Sequence, residues 1–378
     1  MRILQLGKFY PIRGGVENVM WDLTRGLSER GVECDMLCAS LPSGGTDPQD
    51  AFMEQPDGSL RFNPRGRVFR VKALAKKAAT MISPAMIGWL RRHKADYDII
   101  HVHHPDPMAA LALRLSGFRG RVVLHWHSDI VSQKFLLLLY RPLQDWLVGR
   151  ADIIVGTSPA YIASSPWLKD VQQKCTSVPI GIKPMDFDKT ASEAVRGRFP
   201  GKVILLSVGR LVPYKGYPVL IRAMKHLPGR YQLVIVGSGP LRNELEELMD
   251  SENLRDRICI EGYLSERDLS ARYGACDIFV LSSIMKTEAF GIVQIEAMSC
   301  GKPVVATEIP GSGVSWVNED GVSGRNVPPG DPALLAGAIE DVAAKYREFS
   351  EGARTRFEAM FREEKMINSI LKIYETLV

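Results

Sequence analysis

Residues 203–241 read VILLSVGRLVPYKGYPVLIRAMKHLPGRYQLVIVGSGPL. Val203–Val208 is short and apolar throughout, which predicts a strand buried on both faces. Lys215–Leu227 follows as a helix, and Tyr231–Val236 is a second uniformly apolar run. Strand, helix, strand is a βαβ unit, and repeated units of this kind build a doubly wound parallel sheet.

The same alternation continues toward the C-terminus. Leu241–Met249 reads as a helix, Ile258–Ile260 as a short strand, and Ser265-Glu266-Arg267-Asp268 as the capped start of a helix. Asp277–Leu281 (DIFVL) leads into a helix over Gly291–Ser299, Pro303–Thr307 is a further strand, and Pro332–Tyr346 and Phe357–Thr376 close the chain as helices. Toward the N-terminus a second series stands ahead of a polar linker at about 183–200. Arg2–Leu6 and Val32–Ala39 are strands around a helix that follows Gly14-Gly15. Asp98–Val102, Arg121–Trp126 and Ala151–Val155 are strands alternating with helices over Met108–Ser116, Lys134–Leu147 and from Pro159. The predicted fold is therefore α/β, with two doubly wound Rossmann-like domains. In such folds ligands bind at the carboxyl ends of the strands, so the cleft between the domains is the expected site.

A length of 378 residues fits two domains, and the 46% hydrophobic and 24% charged fractions are those of an ordinary globular protein. Disorder, collagen and coiled coil are excluded. The richest apolar run, Phe135–Tyr140, is far too short to span a bilayer. No secretory h-region follows the first residues, so a cytoplasmic location is expected. Cysteines 34, 38, 175, 259, 276 and 300 are scattered, which predicts reduced thiols. The net charge of +5 decides little as a whole. Its distribution is uneven: residues 61–94 hold Arg61, Arg65, Arg67, Arg70, Lys72, Lys76, Lys77, Arg91, Arg92 and Lys94 with no acid among them. Solvated helix faces are one reading of that segment, and a basic amphipathic surface for anionic lipid is the other. The Gly-, Pro- and Ser-rich stretch 41–60 reads as a long loop.

The strand ends carry the chemistry. Gly209, Arg210 and Lys215 suit a phosphate pair, with a fork of donors from arginine and a point charge from lysine. Gly237-Ser238-Gly239 permits close backbone approach but lacks the third glycine of a dinucleotide fingerprint, and tight packing explains it equally well. In Lys286-Thr-Glu288-Ala-Phe290-Gly291-Ile292-Val293-Gln-Ile-Glu296, the amides at the start of the helix can hold a diphosphate. Glu296 lies about 7–8 Å further along the helix axis, so Glu288 and Glu296 suit hydroxyls on either side of the phosphates, a sugar and a ribose respectively. Five histidines, His101, His103, His104, His125 and His127, cluster at two strand ends, with His101 and His103 on one face and His125 and His127 on one face. Their spacing matches no common zinc motif. Asp96-Tyr97-Asp98 is formally a DxD, yet it precedes its strand, at the wrong edge of the sheet for a ligand.

These segments resemble the retaining family 4 glycosyltransferases of GT-B fold. The resemblance rests on SVGRLVPYKG, LVIVGSGPLRNEL, ACDIFVLSS, EAFGIVQIEAMSCGKPVVAT and NVPPGD, and in the N-terminal half on PIRGGVENV, HVHHPDP, HWHSDIVSQK and ADIIVGTSPAYIASSPWL. It implies an acceptor-side domain over 1–182, a nucleotide-sugar domain over 183–358, and a helix over 359–378 that returns to the first domain. It also implies roles. Gly14 and Gly15 would face the donor diphosphate, and Arg210 and Lys215 would neutralise it with no metal and no cofactor. Glu288 would hold the transferred sugar, Glu296 the ribose, and His127 would face the sugar. Gly237, Phe290, Gly291, Ile292 and Val293 would complete the donor site. The family often has glycine where this chain has Ala289. Similarity to bacterial O-antigen and exopolysaccharide mannosyltransferases favours GDP-mannose as donor. The partners implied are a lipid-linked saccharide acceptor and, through residues 61–94, the anionic inner face of the cytoplasmic membrane; no nucleic acid is expected. A UDP-hexose donor, a sugar-nucleotide epimerase and a non-catalytic nucleotide-sugar binder are the competing readings.

Overall fold

A computed structural model of the chain describes residues 1–12, 14–41, 52–77, 80–130 and 134–378. Contacts divide it into two compact units, Met1–Ile180 with Glu363–Val378, and Gly181–Arg362.

The first unit holds β1 (Arg2–Tyr10), β2 (Glu33–Ser40), β3 (Met53–Glu54), β4 (Leu60–Asn63), β5 (Gly66–Lys72), β6 (Ala75–Lys77), β7 (Thr80–Ile82), β8 (Ile99–His104), β9 (Arg121–Trp126), β10 (Ile153–Gly156) and β11 (Cys175–Ser177). Nine of them form one sheet in the order β11-β10-β9-β8-β1-β2-β5-β4-β3, and β6 pairs with β7 separately. Strands from β11 to β5 run parallel, and β4 and β3 extend the edge antiparallel. Ile3, Leu4, Ile99, Ile100, Val122 and Val123 are wholly buried, as strands covered on both faces require. From β1 the chain passes to β2 on one side and later to β8 on the other. The sheet thus reverses direction between β1 and β8, and a crevice opens at their carboxyl ends.

The second unit holds β12 (Val203–Val208), β13 (Tyr231–Val236), β14 (Ile258–Glu261), β15 (Ile278–Leu281), β16 (Val304–Thr307) and β17 (Gly324–Val327). All six are parallel, in the order β14-β13-β12-β15-β16-β17, so the reversal lies between β12 and β15. Helices Tyr217–Ala223 and Pro332–Ala344 bury Leu220, Ile221, Leu335 and Ile339 against this sheet.

Three expectations need correction. Residues 61–94 hold the strands β4 to β7 ahead of a single helix, Pro84–His93, and strand pairing brings acids to the arginines from elsewhere in the chain. Arg67 lies 3.4 Å from Asp35 of β2, and Arg70 lies 3.0 Å from Glu54 of β3. Arg91 and Lys94 bond the carbonyls of Leu115 and Ser116, which neutralises the carboxyl end of helix Pro107–Ser116. The basic surface that remains is smaller than the sequence suggests: Arg65 and Arg92 are exposed, and exposed Lys72 and Lys76 stand beside Leu74 and Ile82, which are 69% and 41% exposed. The polar linker at 183–200 contains a helix, Lys189–Gly197, capped by the Asp188 carboxylate and packed through Val195 on Ala271 and Ala275. The closing helices are three pieces rather than two: Pro332–Ala344, Tyr346–Arg356 continuing as a π-turn over Phe357–Phe361, and Glu363–Glu375 after extended Arg362.

Helix Glu363–Glu375 belongs to the first unit. Its apolar stripe, Met366, Ile367, Ile370 and Tyr374, is buried. Gly26 of helix Gly15–Glu29 permits that approach, because a Cβ there would lie 2.1 Å from Ile367 Cδ1. Glu363 pairs with Arg25 of the same helix. The six cysteines are free thiols. Among the described residues no helix is long and apolar enough to cross a membrane. Most of the loop at 41–60, residues 42–51, lies outside the described residues, as do Arg13 and residues 131–133 of the quoted motifs.

Candidate active site

In the second unit the functional residues converge where the sheet reverses. β12 ends at Gly209, whose positive φ of 155° and missing side chain leave room for Lys215; a Cβ would sit 3.0 Å from Lys215 Cε. A 3-10 turn over Pro213–Lys215 and left-handed Gly216 then bring the lysine back over the strand end. From the neighbouring strand end, Glu288 meets it. Lys215 Nζ is 2.6 Å from Glu288 Oε2, and both side chains are about nine-tenths buried. Ser283 Oγ donates to the same carboxylate oxygen at 2.8 Å, and Ser312 Oγ donates to the Glu288 carbonyl. Ser282 Oγ donates to the Lys215 carbonyl at 3.0 Å. Glu288 is thus locked in one orientation, with Oε1 left unbonded among the described residues. Arg210 is exposed and makes no ion pair among the described residues; it lies near Tyr214, whose phenol is pushed up by burial against the opposing charges of Lys215 and Arg210.

Past Glu288, Ala289 keeps an ordinary backbone, since the only described non-glycine residues with positive φ are Lys8 and Asn253. The alanine therefore carries no backbone strain. Phe290 is buried and meets Phe361 edge to face. Gly291 is left-handed (φ 76°) and caps helix Ile292–Ser299 with no side-chain bond, so the amides of Ile292 and Val293 remain available to an anion. The helix begins at Ile292, one residue later than the sequence predicts. One turn on, Glu296 accepts a hydrogen bond from the fully buried Tyr273 hydroxyl at 2.6 Å. Burial raises the pKa of the Glu296 carboxyl, against the lowering effects of Tyr273 and Lys215. Gly237 has φ 147°, and a Cβ would lie 1.9 Å from the Gly209 carbonyl. Packing of two strand-end loops, the simpler of the two readings of Gly-Ser-Gly, is thereby sufficient to explain it.

In the first unit, Gly14 caps helix Gly15–Glu29, and Glu17 folds its carboxylate over it; a Gly14 Cβ would lie 2.0 Å from Glu17 Oε2. That amino end already faces a carboxylate, which competes with any diphosphate there. β8 starts one residue later and ends two residues later than the sequence suggests, so His103 and His104 lie on the strand itself. His101, His103, His125 and His127 form one stacked column, and His104 stacks on Trp126 at 3.8 Å on the other face. Burial, the largest cause, holds the imidazoles of His103 and His127 well below the usual range, so both are neutral at pH 7. Ring nitrogens of His103, His125 and His127 lie within 4.8 Å of one another. The His125 and His127 rings are parallel, 7° apart, and ligand lone pairs lie in the ring plane, so they do not converge on a common ion. Asp98 bonds the Arg2 amide at 2.7 Å at the amino end of the sheet, which gives the DxD a structural role.

Sequence reading brought forward Arg210, Lys215, Glu288, Glu296 and His127. It missed Ser283, Ser312 and Tyr273. Only Ser283 had a signal, its place two residues past the DIFVL strand.

Lys215 and Glu288 thus face each other at a sheet reversal beside an open helix amino end, the place where doubly wound α/β folds bind ligands. The family descriptions agree: residues 13–184 match "Glycosyltransferase Family 4" and residues 188–356 match "Glycosyl transferases group 1". The chain is 33% identical over 384 residues to O-antigen chain mannosyltransferase C of Escherichia coli, covering 100% of this chain and 99% of that one. It is 30% identical to D-rhamnosyltransferase WbpZ of Pseudomonas aeruginosa, covering 96% and 92%. Sucrose-phosphate synthase of Thermosynechococcus elongatus shares the fold with a TM-score of 0.79, at 24% identity over 100% of this chain and 99% of that one. Anabaena HepE, solved in complex with UDP-glucose, does so with a TM-score of 0.78, at 20% identity over the whole of both chains. The chain belongs to the family 4 glycosyltransferases, with the two Rossmann-like domains of the GT-B fold.

Proposed function

We propose that the protein is a retaining hexosyltransferase that moves mannose from GDP-mannose to a lipid-linked saccharide in surface-polysaccharide synthesis. The observation that carries this reading is the Lys215–Glu288 pair at 2.6 Å beside the open helix end at Ile292. Departure of a nucleoside diphosphate builds negative charge on its β-phosphate. Lys215, Arg210 and the amides of Ile292 and Val293 supply positive charge there with no need of a metal ion. Glu288 Oε1 accepts from a hydroxyl of the transferred hexose, and Glu296 from the ribose. His127 faces the sugar, and Gly14, Gly15 and Gly237 border the donor. No side chain stands out as a covalent nucleophile, which favours attack from the leaving-group face. Relatives named for mannose and rhamnose transfer support a GDP-linked donor.

Thermal unfolding with GDP, UDP or ADP, each without metal, tests the donor. A nucleotide at about 100 times its Kd adds about 2.7 kcal/mol. The expected result is a shift with GDP alone, followed by mannose transfer from GDP-mannose. A shift with UDP alone would keep the enzyme class and replace the donor, the reading favoured by the UDP-glucose complex of HepE.

The lipid-linked acceptor would be met at an anionic membrane surface through the β6–β7 hairpin, where Lys72 and Lys76 flank exposed Leu74 and Ile82. Each lysine near such a surface contributes about 1 kcal/mol. Lys72→Gln with Lys76→Gln should therefore lower partitioning onto phosphatidylserine vesicles at low salt by about 30-fold. Unchanged sedimentation would remove the membrane from this account.

A further inference from the structure

A chain of buried hydrogen bonds leads from the last helix to His127. Gln5 on β1, His103 on β8 and Tyr374 are wholly buried, and His127 is 5% exposed. Gln5 Nε2 donates to the Tyr374 hydroxyl at 3.0 Å, with Cys34 Sγ 3.8 Å away on the same side. That leaves Gln5 Oε1 toward His103 Nε2, at 2.8 Å. An amide oxygen only accepts, so His103 carries its proton on Nε2. A neutral imidazole has one proton, so His103 Nδ1 is bare and accepts. Its partner, 2.9 Å away, is His127 Nε2, which must therefore hold the His127 proton. His127 Nδ1 is then a bare lone pair, buried from solvent and without a hydrogen-bond partner among the described residues. The Tyr374 hydroxyl donates in turn to His101 Nδ1 at 2.5 Å, which completes the donor pattern.

We propose that Tyr374, Gln5 and His103 are positioning residues that set the tautomer of His127, so that its Nδ1 accepts a hydrogen bond from a substrate hydroxyl. The assignment of that hydroxyl rests on the reading that His127 faces the sugar. The consequence is chemical selectivity. A bare Nδ1 recognises a donor such as a hydroxyl, and it repels a phosphate or carboxylate oxygen, which brings no proton. Strong burial of the whole column keeps the imidazoles neutral, which the relay requires. Because Tyr374 lies 369 residues from Gln5 in sequence, the device exists only when the last helix is docked on the first unit.

The test is the ¹⁵N spectrum of the full chain labelled at histidine, with His127 assigned by its loss in His127→Asn. The expected wild-type signature is a protonated Nε2 and a bare Nδ1. Tyr374→Phe frees the Gln5 amide to turn over, and His103→Leu removes the acceptor; both should shift His127 toward the other tautomer. His103→Asn offers an amide oxygen where Nδ1 stood, and should restore the wild-type signature although it cuts the link to Gln5. Turnover should follow: about tenfold lower kcat in His103→Leu, the worth of one hydrogen bond, and within about twofold of wild type in His103→Asn, with donor KM little changed. A proton on His127 Nδ1 in the wild type, a signature unmoved in both Tyr374→Phe and His103→Leu, or a stoichiometric metal ion on these rings would overturn the relay. If the tautomer follows the variants but His127→Ala transfers sugar at the wild-type rate, the hydroxyl-accepting role is overturned and the proton arrangement alone stands.

Discussion

Replacing Lys215 with alanine is expected to lower turnover by about 10²–10³-fold, the usual cost of one donor aimed at developing charge. Lys215 is the better buried of the two cations at this strand end, whereas Arg210 is exposed. A buried charge acts through a lower dielectric than an exposed one, so in the proposed mechanism the lysine would carry the larger share of leaving-group stabilisation. Without donor its partner is Glu288, and Ser283 holds the same carboxylate oxygen. When the diphosphate arrives, Lys215 can engage it while Ser283 keeps Glu288 in place. Lys215→Ala also leaves Glu288 with one bond fewer, so circular dichroism and a melting curve must establish that the variant is folded. Single-turnover rates with saturating donor then isolate the chemical step. Folded Lys215→Ala turning over at the wild-type rate would remove the lysine from the mechanism. Lys215→Arg should recover little, because the guanidinium fork is wider than the space beside Gly209, where a Cβ alone would come within 3.1 Å of Nζ.

Gly237→Ala is expected to lose about 3 kcal/mol of stability, from backbone strain together with overpacking. Its φ of 147° is one that side chains rarely adopt, and the new Cβ would lie 1.9 Å from the Gly209 carbonyl. That carbonyl cannot yield easily. Gly209 N is bonded to the Val236 carbonyl at 2.9 Å, and Leu211 N to that of Ser238 at 3.0 Å, so the two loops are stitched together. For a unit of this size the loss corresponds to a melting point lower by about 6–12 °C. The comparison is made without nucleotide. A nucleotide-binding role alone would leave the free protein's melting point unchanged and lower only the stabilisation added by donor. A packing role lowers the free protein's melting point directly. A loss below about 1 kcal/mol would show that the loops relax and that the glycine is there for a ligand.

The two parallel sheets were legible because each buried strand is an unbroken apolar run. VILLSV and YQLVIV became β12 and β13 with unchanged boundaries. Residues 61–94 misled because charge was read without partners. Asp35 and Glu54 lie outside the segment, and only pairing of β2, β5, β4 and β3 brings them to Arg67 and Arg70. The linker helix at Lys189–Gly197 was missed because its surface is nearly all polar and its one signal, the Asp188 cap, is a single residue.

By itself, then, the amino-acid sequence determined the central parallel strands of both sheets, where the glycine turns fall, and that Arg210, Lys215 and Glu288 follow strand ends with Glu296 one turn into the next helix. Those properties are local: burial on both faces demands apolar runs, and tight returns demand glycine. Only the tertiary structure decided that Lys215 and Glu288 touch, because the reversal of strand order sets β12 beside β15 although 69 residues intervene between Val208, the end of the first, and Ile278, the start of the second. It alone joined Tyr374 to Gln5, His103 and His127, since a hydrogen bond needs about 3 Å between donor and acceptor, a condition that separation along the chain neither requires nor reveals.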